Sequence, residues 1–238
     1  MNGAPLLSSQ AALRSGSGYV RVSTPGGTGE IPSEIVGFDI PTEEWEDHVI
    51  KNDFERFKAV VVGPGLGKTQ MARKAVINLL SATKIPTVVD ADALYAIGQQ
   101  SLNTSDFGDH VVLTPHDAEY EYLTGHRPQI NRVLDVRETA AKLNTVILLK
   151  GSTTIVSHPD GRCLLVNNGD QRLATAGTGD VLSGVIAGLL ARGVSPFEAA
   201  AAGAWIHAEA ANNCLAEGMI ASDIIRVLPE VLNAANVG

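Results

Sequence analysis

The sequence predicts an α/β protein built on a mainly parallel central sheet with helices on both faces. Short runs rich in valine, isoleucine and leucine alternate along the chain with segments whose apolar residues recur at helical spacing. Strands that alternate with helices form parallel sheets covered on both sides. The length of 238 residues and the hydrophobic fraction of 45% favour one large domain, residues 1–238.

The first quarter of the chain predicts two helices and two strands. Helical spacing predicts a helix over residues 4–15, which Gly16 would end. Alternating side chains predict a strand over Tyr19–Ser23, and the glycine-rich segment after it is typical of a loop. A polar helix is predicted over Glu43–Phe57, followed by a buried strand over Ala59–Val62.

The middle of the chain predicts a long helix and three more buried strands. These are the helix Met71–Ala82 and the strands Thr87–Asp92, His110–Pro115 and Thr145–Lys150, with short helices before the last strand. Ligands of parallel sheets bind beyond the carboxyl ends of the strands, so polar residues at these ends are candidates for a site.

A hairpin and a helical region complete the predicted fold. The hairpin pairs Thr153–Val156 with Cys163–Val166 across the turn His158–Gly161. The last third is rich in alanine and predicts helices from Asp180 onward. Ser195-Pro-Phe-Glu198 has the pattern of a capping box that opens the next helix.

Composition excludes some classes of function. The net charge of −8 argues against an electrostatic nucleic-acid binder but not against nucleotides, which local backbone donors bind. The two cysteines, Cys163 and Cys214, form no metal-binding pattern. Without a long apolar stretch or an export leader, we expect a reduced, cytoplasmic protein that contacts no membrane.

The segment Val60–Thr69, VVVGPGLGKT, resembles a phosphate-binding P-loop but has the wrong spacing. A P-loop has about four residues between its first glycine and the Gly-Lys-Ser/Thr, whereas only three separate Gly63 from Gly67. We interpret GPGLG as a tight loop that lets a ligand approach the backbone. Lys68-Thr69 then marks the start of a helix.

The strongest candidate site begins the predicted helix at Asp180. Gly177, Thr178 and Gly179 can bring backbone N–H groups to a helix start, where the dipole favours anions, and Asp180 stands in its first turn. The alternative is a helix cap without further function. Small residues at Gly184 and Gly188 predict that this helix lies close against the sheet.

Further polar residues follow the predicted strands. Asp90 and Asp92 are two residues apart, so on a strand they would share a face. They would either order magnesium or water, or cap the next helix. Lys150 and His116 each follow a strand, and Glu119 lies three residues after the histidine.

Five motifs in this order resemble the ADP-dependent NAD(P)H-hydrate dehydratase family of the ribokinase-like superfamily. They are VGPGLG at 62–67, DADAL at 90–94, LTPHDAE at 113–119, LLKGSTTIV at 148–156 and AGTGDVLSG at 176–184. The resemblance implies repair of hydrated NADH and NADPH: ADP phosphorylates the ring hydroxyl, AMP is released, and expulsion of phosphate restores the nicotinamide.

The resemblance also implies roles for single residues. Asp180 would be the catalytic base, and the N–H groups of Gly177, Thr178 and Gly179 would stabilise the phosphoryl group. The hydrated dinucleotide would contact Ala4, Gly67, His116 and Asp180. ADP would contact Lys150, Gly151, Ser152, Thr153, Thr154 and Gly179. Glu119 would organise Mg²⁺ near the phosphates, directly or not. Asp117-Ala118 replaces the Pro-Gly that is frequent in the family.

Two alternatives remain at this stage, a ribokinase-like kinase of a small vitamin precursor and a catalytically silent nucleotide-binding protein. ADP is preferred to ATP as donor because single-domain members generally use it. The family also begins with a strand before the segment that here reads MNGAPLL. We therefore expect this sequence to be truncated or to lack that strand. A homo-oligomer is expected because family members often form one.

Overall fold

The computed structural model describes residues 3–52, 54–98 and 108–235. The helices are α1 (Gly3–Arg14), α2 (Trp45–Lys51), α3 (Gln70–Ala82), α4 (Asp92–Ile97), α5 (Asp117–Thr124), α6 (Arg132–Leu143), α7 (Thr178–Ala191), α8 (Pro196–Asn212) and α9 (Ala221–Ala235). The strands are β1 (Arg21–Val22), β2 (Val36–Gly37), β3 (Val60–Val62), β4 (Thr87–Val89), β5 (Val111–Leu113), β6 (Val146–Leu149), β7 (Thr154–Ser157) and β8 (Cys163–Val166).

The central sheet has the predicted, mainly parallel arrangement. Its strand order is β3-β4-β5-β6-β7-β8, and the first four strands run parallel. β7 and β8 form the predicted antiparallel hairpin, with Thr154 opposite Val166. Because β3 to β6 run in one direction, their carboxyl ends meet at one edge of the sheet, hereafter the carboxyl edge.

Several boundaries differ from the sequence predictions. The strand predicted over Tyr19–Ser23 keeps only two residues, and it pairs with β2 in a separate small sheet. The helix predicted over Glu43–Phe57 is shorter, because α2 ends at Lys51 and only a 3₁₀ turn, Phe54–Arg56, follows. The strand predicted to reach Asp92 ends at Val89, and the helix expected after it, α4, already begins at Asp92.

The capping box predicted before α8 is also wrong in detail. α8 does begin after Ser195 with Pro196 at its first position. However, the Ser195 hydroxyl donates to the Glu198 carboxylate at 2.6 Å, and no side chain caps the backbone there.

Helices cover both faces of the sheet. On one face Val88, Val112 and Val146 pack in a core shared with α1, α7, α8 and α9. On the other face Val89 and Leu113 pack in a second core with α2, α3 and α4. None of the helices in the described ranges has the length and apolar character needed to span a bilayer.

α7 packs on β3 and β4 as predicted, but its two glycines face α1. A Cβ at Gly184 would run into the carbonyl oxygen of Ser8, and one at Gly188 would lie 2.7 Å from the Cβ of Ser15. Ser8 also donates to the carbonyl oxygen of Asp180 at 2.9 Å. These contacts advance together along both helices, so α1 and α7 run in the same direction and both start at the carboxyl edge.

We expect Gly184→Ala to lower the free energy of unfolding by about 2 kcal/mol, because the added methyl group overpacks the α1–α7 contact. Urea denaturation measures this. Gly18→Ala is the matched control, since its added Cβ meets nothing within 4 Å. Equal urea midpoints for the two variants would contradict the proposed close contact.

Candidate active site

The carboxyl edge of the sheet collects residues that are far apart in sequence. The GPGLG loop follows β3, Asp90 follows β4, His116 follows β5 and Lys150 follows β6. The start of α7 lies at the same edge, because a Cβ built on Gly179 would be 3.7 Å from the Lys150 ammonium. The predicted sites for the two ligands are therefore neighbours in space.

A buried lysine lies at the centre of this edge. The Lys150 ammonium contacts the Asp90 carboxylate at 2.9 Å and the Glu119 carboxylate at 3.5 Å. Desolvation acts to lower the pKa of Lys150, but the two carboxylates together raise it above its usual value. The ammonium therefore stays charged at neutral pH beside the start of α7.

Asp90 is buried and fully engaged with protein groups. Its second carboxylate oxygen accepts a 2.6 Å hydrogen bond from Ser183 on α7. Burial acts to raise the pKa of Asp90, but Lys150 and Ser183 lower it below its usual value. Asp90 thus fixes the position of Lys150, a role that the sequence did not suggest.

Asp92 does not share the face of Asp90, so that prediction was wrong. The chain turns at Ala91, whose φ is 49°, and Asp92 becomes the first residue of α4. Its carboxylate accepts the N–H of Gly67 at 2.8 Å. Asp92 therefore holds the GPGLG loop and caps no helix.

The glycines at the start of α7 allow its backbone to turn into the helix. Gly177 has φ 89°, and a Cβ there would lie 2.7 Å from Leu7 of α1. The N–H groups of the first helical turn have no acceptor within the helix. Those of Gly179 and Asp180 therefore point out of the start of α7 and are open to an anion.

The Thr178 N–H was predicted to donate to a bound anion, but the structure gives it a different partner. Its N–H donates to the Thr175 carbonyl at 3.3 Å, and its hydroxyl donates to the Leu173 carbonyl at 2.6 Å. Thr178 is buried and stabilises the turn before the helix.

Asp180 carries the carboxylate of this helix start. Burial, and then repulsion by Asp90, raise the pKa of Asp180 to about 6, against the attraction of Lys150. Glu119 and Asp92 add to the repulsion. The carboxyl group is therefore ionised but basic at neutral pH, as a general base should be.

His116 and Glu119 form a capping box at the start of α5. The Nδ1 atom of His116 accepts the N–H groups of Ala118 and Glu119, and Glu119 Oε2 accepts the N–H of His116. Half of the imidazole stays exposed at the carboxyl edge. The residues replacing Pro-Gly are anchored by Asp117, which accepts two hydrogen bonds from Arg132.

The GPGLG loop packs on the adjacent strand end. Gly63 has φ 124°, and a Cβ there would clash with the carbonyl oxygen of Asp90. Gly67 is exposed and nothing lies within 4 Å of its Cβ position, which leaves room for a ligand. Thr69 caps α3, and the Lys68 ammonium lies 3.4 Å from the centre of the Tyr95 ring. The interpretation of Lys68-Thr69 as a helix start is confirmed.

The segment predicted to bind the nucleotide borders a small cavity of about 60 Å³. Gly151, Ser152 and Thr154 line it from one side and His207 of α8 from the other. Thr153 lies between two lining residues. Lys150 itself turns toward Asp90 and the start of α7.

His207 was missed by the sequence analysis. It is buried, and desolvation lowers the pKa of the imidazole to about 4 despite a hydrogen bond to the Thr178 backbone. Its Nε2 atom has no hydrogen-bond partner among the residues that the structure describes. A histidine within an alanine-rich helix gave no spacing signal that would have identified it.

Ala4 lies in the first turn of α1, at the end of that helix which reaches the carboxyl edge. In the described ranges no three histidine, cysteine, aspartate or glutamate side chains cluster closely enough to bind a metal. The predicted metal residue, Glu119, uses Oε2 for the His116 N–H and the Lys150 ammonium, and its Oε1 lies 3.5 Å from Nε2 of His116.

Comparison with known proteins gives consistent matches. A family model described as NAD(P)H-hydrate dehydratase matches residues 1–230. The ADP-dependent (S)-NAD(P)H-hydrate dehydratase of Neisseria meningitidis is 36% identical over 94% of this chain and 78% of its own. A Bacillus subtilis ADP/ATP-dependent NAD(P)H-hydrate dehydratase, co-crystallised with ATP/Mg²⁺, superposes with a TM-score of 0.82 at 30% identity, covering 98% of this chain and 87% of that chain.

Some relatives are larger proteins. The bifunctional NAD(P)H-hydrate repair enzyme Nnr of Moorella thermoacetica is 36% identical over 98% of this chain. This chain spans 47% of that protein, about half its length.

We expect Asp180→Asn to raise the melting temperature at pH 7–8. The raised pKa of about 6 means that ionising Asp180 costs more in the folded than in the unfolded protein, and asparagine removes this cost. The gain should shrink as the pH falls from 6 to 4, because the unfolded aspartate also becomes protonated over that range. Scanning calorimetry from pH 4 to 8 measures it, and a gain that does not depend on pH would contradict the assigned cause.

Proposed function

The chain belongs to the NAD(P)H-hydrate dehydratase family, and we propose that it restores NADH and NADPH from their (S)-hydrates. ADP is the phosphoryl donor, and AMP and phosphate are released. The observation that carries this proposal is the Asp180 carboxylate at a glycine-lined helix start, with the Lys150 ammonium beside Gly179.

The reaction needs a better leaving group than hydroxide. Asp180 takes the proton of the ring hydroxyl. The hydroxyl oxygen at the same time attacks the terminal phosphorus of ADP, and AMP leaves. The C–O bond then breaks, phosphate departs with the bonding electrons, and the neighbouring ring carbon gives up a proton to the departing phosphate, so that the ring regains its double bond. A positioned base contributes on the order of 10² to 10⁴ in rate, and the pKa of about 6 suits Asp180 to this task.

The charge on the transferred phosphoryl group needs positioned donors. Open N–H groups at Gly179 and Asp180 and the positive end of α7 support this role, at about 10² to 10³ in rate for each strong donor. Lys150 adds a full positive charge that Asp90 and Glu119 keep in place. Gly177 shapes the turn, and Thr178 stabilises it.

Two groups of residues at the carboxyl edge suit the two ligands. Ala4, Gly67 and the exposed ring of His116 would contact the hydrated dinucleotide beside Asp180. Lys150 and Gly179 would contact the phosphates of ADP, while Gly151, Ser152, Thr153 and Thr154 would border the rest of the nucleotide.

Magnesium would accompany the nucleotide phosphates. Three carboxylates, Asp90, Glu119 and Asp92, repel the Asp180 carboxylate and add to the effect of burial on its pKa. A hard cation would relieve this repulsion, and Mg²⁺ prefers one or two carboxylates together with phosphate oxygens. Glu119 would help to hold it, and the ion would neutralise phosphate charge.

We expect Asp180→Asn to lower turnover of hydrated NADH by at least about 100-fold, because the variant has no base. The assay follows the absorbance of returning NADH in the presence of Mg²⁺ and ADP, and calorimetry compares ADP binding, which should stay within a few-fold. Near-normal turnover would remove Asp180 as the base. If the wild-type protein is inactive with both ADP and ATP, the proposed function itself is wrong.

We expect Lys150→Gln to raise the KM for ADP and to lower kcat, together about 100-fold or more, because a buried charge beside the phosphates is lost. Lys68→Gln is the matched control and should stay within several-fold, since Lys68 contacts the Tyr95 ring. Circular dichroism confirms folding of both. Loss of activity in the Lys68 variant alone would restore the P-loop interpretation.

A further inference from the structure

An arginine that the sequence analysis did not single out borders the segment 150–154, hereafter the nucleotide segment. Arg132 is the first residue of α6. A Cβ built on Gly151 would lie 3.2 Å from the Arg132 Nη2 atom. Gly151 is exposed and is not among the glycines with a positive φ. Glycine at position 151 thus leaves the room beside the nucleotide segment that the guanidinium group occupies.

A carboxylate fixes the orientation of this guanidinium group. The Nη1 and Nη2 atoms of Arg132 donate to the two carboxylate oxygens of Asp117 at 3.0 and 2.7 Å. The Arg132 side chain nevertheless stays 33% exposed, so a ligand can reach it. A side chain that is already oriented loses little conformational freedom when it binds a ligand.

The contact with Asp117 leaves other donors of the guanidinium group free. A carboxylate that faces Nη1 and Nη2 takes one hydrogen from each, and Nε–H and the second hydrogen of Nη2 then form another fork. Among the described residues, Arg132 donates hydrogen bonds to Asp117 alone. Because Nη2 is the atom next to Gly151, this free fork adjoins the nucleotide segment. A planar fork of N–H donors matches two oxygens of one phosphate group.

Arg132 and Lys150 serve different places at the carboxyl edge. After burial, Asp90 and Lys150 affect the pKa of Asp180 most. Arg132 instead lowers the pKa of Asp117, through their hydrogen bond. Arg132 is therefore farther from the proposed base than Lys150 is. Of the two phosphates of ADP, the one that is not transferred is also the one farther from the base.

We propose that Arg132 is a further nucleotide-binding residue, which holds the α-phosphate of ADP through its Nε and Nη2 donors. This inference rests on the proposed function, because it takes ADP as the phosphoryl donor. When the bond to the terminal phosphorus breaks, the bridging oxygen keeps the bonding electrons, and the α-phosphate becomes the phosphate of AMP. The oriented guanidinium group stabilises the charge that develops there, so Arg132 contributes to binding and to the departure of AMP.

Calorimetric titration of the full chain with ADP and with AMP tests this role. We expect Arg132→Gln to weaken the binding of both nucleotides at least about 10-fold, because both contain the α-phosphate. Arg132→Lys should recover part of the loss, since an ammonium keeps the charge but has no planar fork. Weakened binding of ADP with unchanged binding of AMP would overturn the assignment to the α-phosphate.

Two further variants separate phosphate binding from a structural ion pair. Asp117→Asn breaks the same ion pair but keeps the guanidinium group, so it should weaken AMP binding less than about 3-fold. Arg162→Gln is the matched control, since Arg162 also pairs with an aspartate, Asp160, in the turn at the far end of β7 from the nucleotide segment. Thermal unfolding verifies each fold. Equal losses in the Arg132 and Asp117 variants would overturn the proposal in favour of a structural ion pair.

Turnover of hydrated NADH separates this inference from the proposed function. If the wild-type protein is inactive but binds ADP and AMP in a manner that depends on Arg132, the proposed function is wrong and the nucleotide contact stands. If the wild-type protein is active and Arg132→Gln keeps its kcat and its KM for ADP, only the contact is wrong. If the wild-type protein binds neither nucleotide, both are wrong.

Discussion

One buried ammonium group organises the carboxyl edge of the sheet. Lys150 at the end of β6 connects Asp90 at the end of β4 with Glu119 on α5, and Asp90 continues through Ser183 to α7. Four separate elements are thereby fixed around one charge. Removing either charge of such a pair leaves the other uncompensated in a dry environment, which costs about 3–5 kcal/mol. The ion pair is therefore stable only when both charges are in place, and its geometry is correspondingly well defined.

This arrangement also sets the basicity of Asp180. The ammonium is compensated by its own carboxylate partners, so it only partly offsets the effects of burial and of neighbouring negative charge on Asp180. The raised pKa of Asp180, about 6, results first from burial and then from the neighbouring negative charges. Asp90 accordingly acts at a distance on the proposed base as well as directly on the lysine.

The sequence predicted those features that depend on local pattern. The buried strands, the hairpin of β7 and β8 and the helix that starts near Asp180 all follow from periodicity, glycine and turn residues, and they agree with the structure. The positions of Lys150, His116 and Gly67 at one edge follow from the rule that parallel strands end together. The structure also agrees with the prediction that Lys68-Thr69 begins a helix.

Features set by long-range contacts could not be predicted. The pairing of Asp90 with Lys150 joins residues 60 positions apart. The turn that separates Asp90 from Asp92 is made by Ala91, and the sequence has no glycine there that would have predicted it. Gly184 and Gly188 indicated a close approach, but only the structure identifies α1 as the neighbour. Thr178 stabilises the turn before α7 by donating to the Leu173 carbonyl, whose direction is fixed by that turn.

The direction of the helices has an electrostatic consequence for ligand capture. α4, α5 and α7 all begin at the carboxyl edge, so their partial positive ends act on the same small volume. The molecule as a whole carries a net charge of −8 and repels polyphosphates at long range. The helix starts therefore attract an anionic ligand only within the last few ångströms. Moderate salt screens the distant repulsion more than the close contacts, so it should accelerate the binding of anionic ligands.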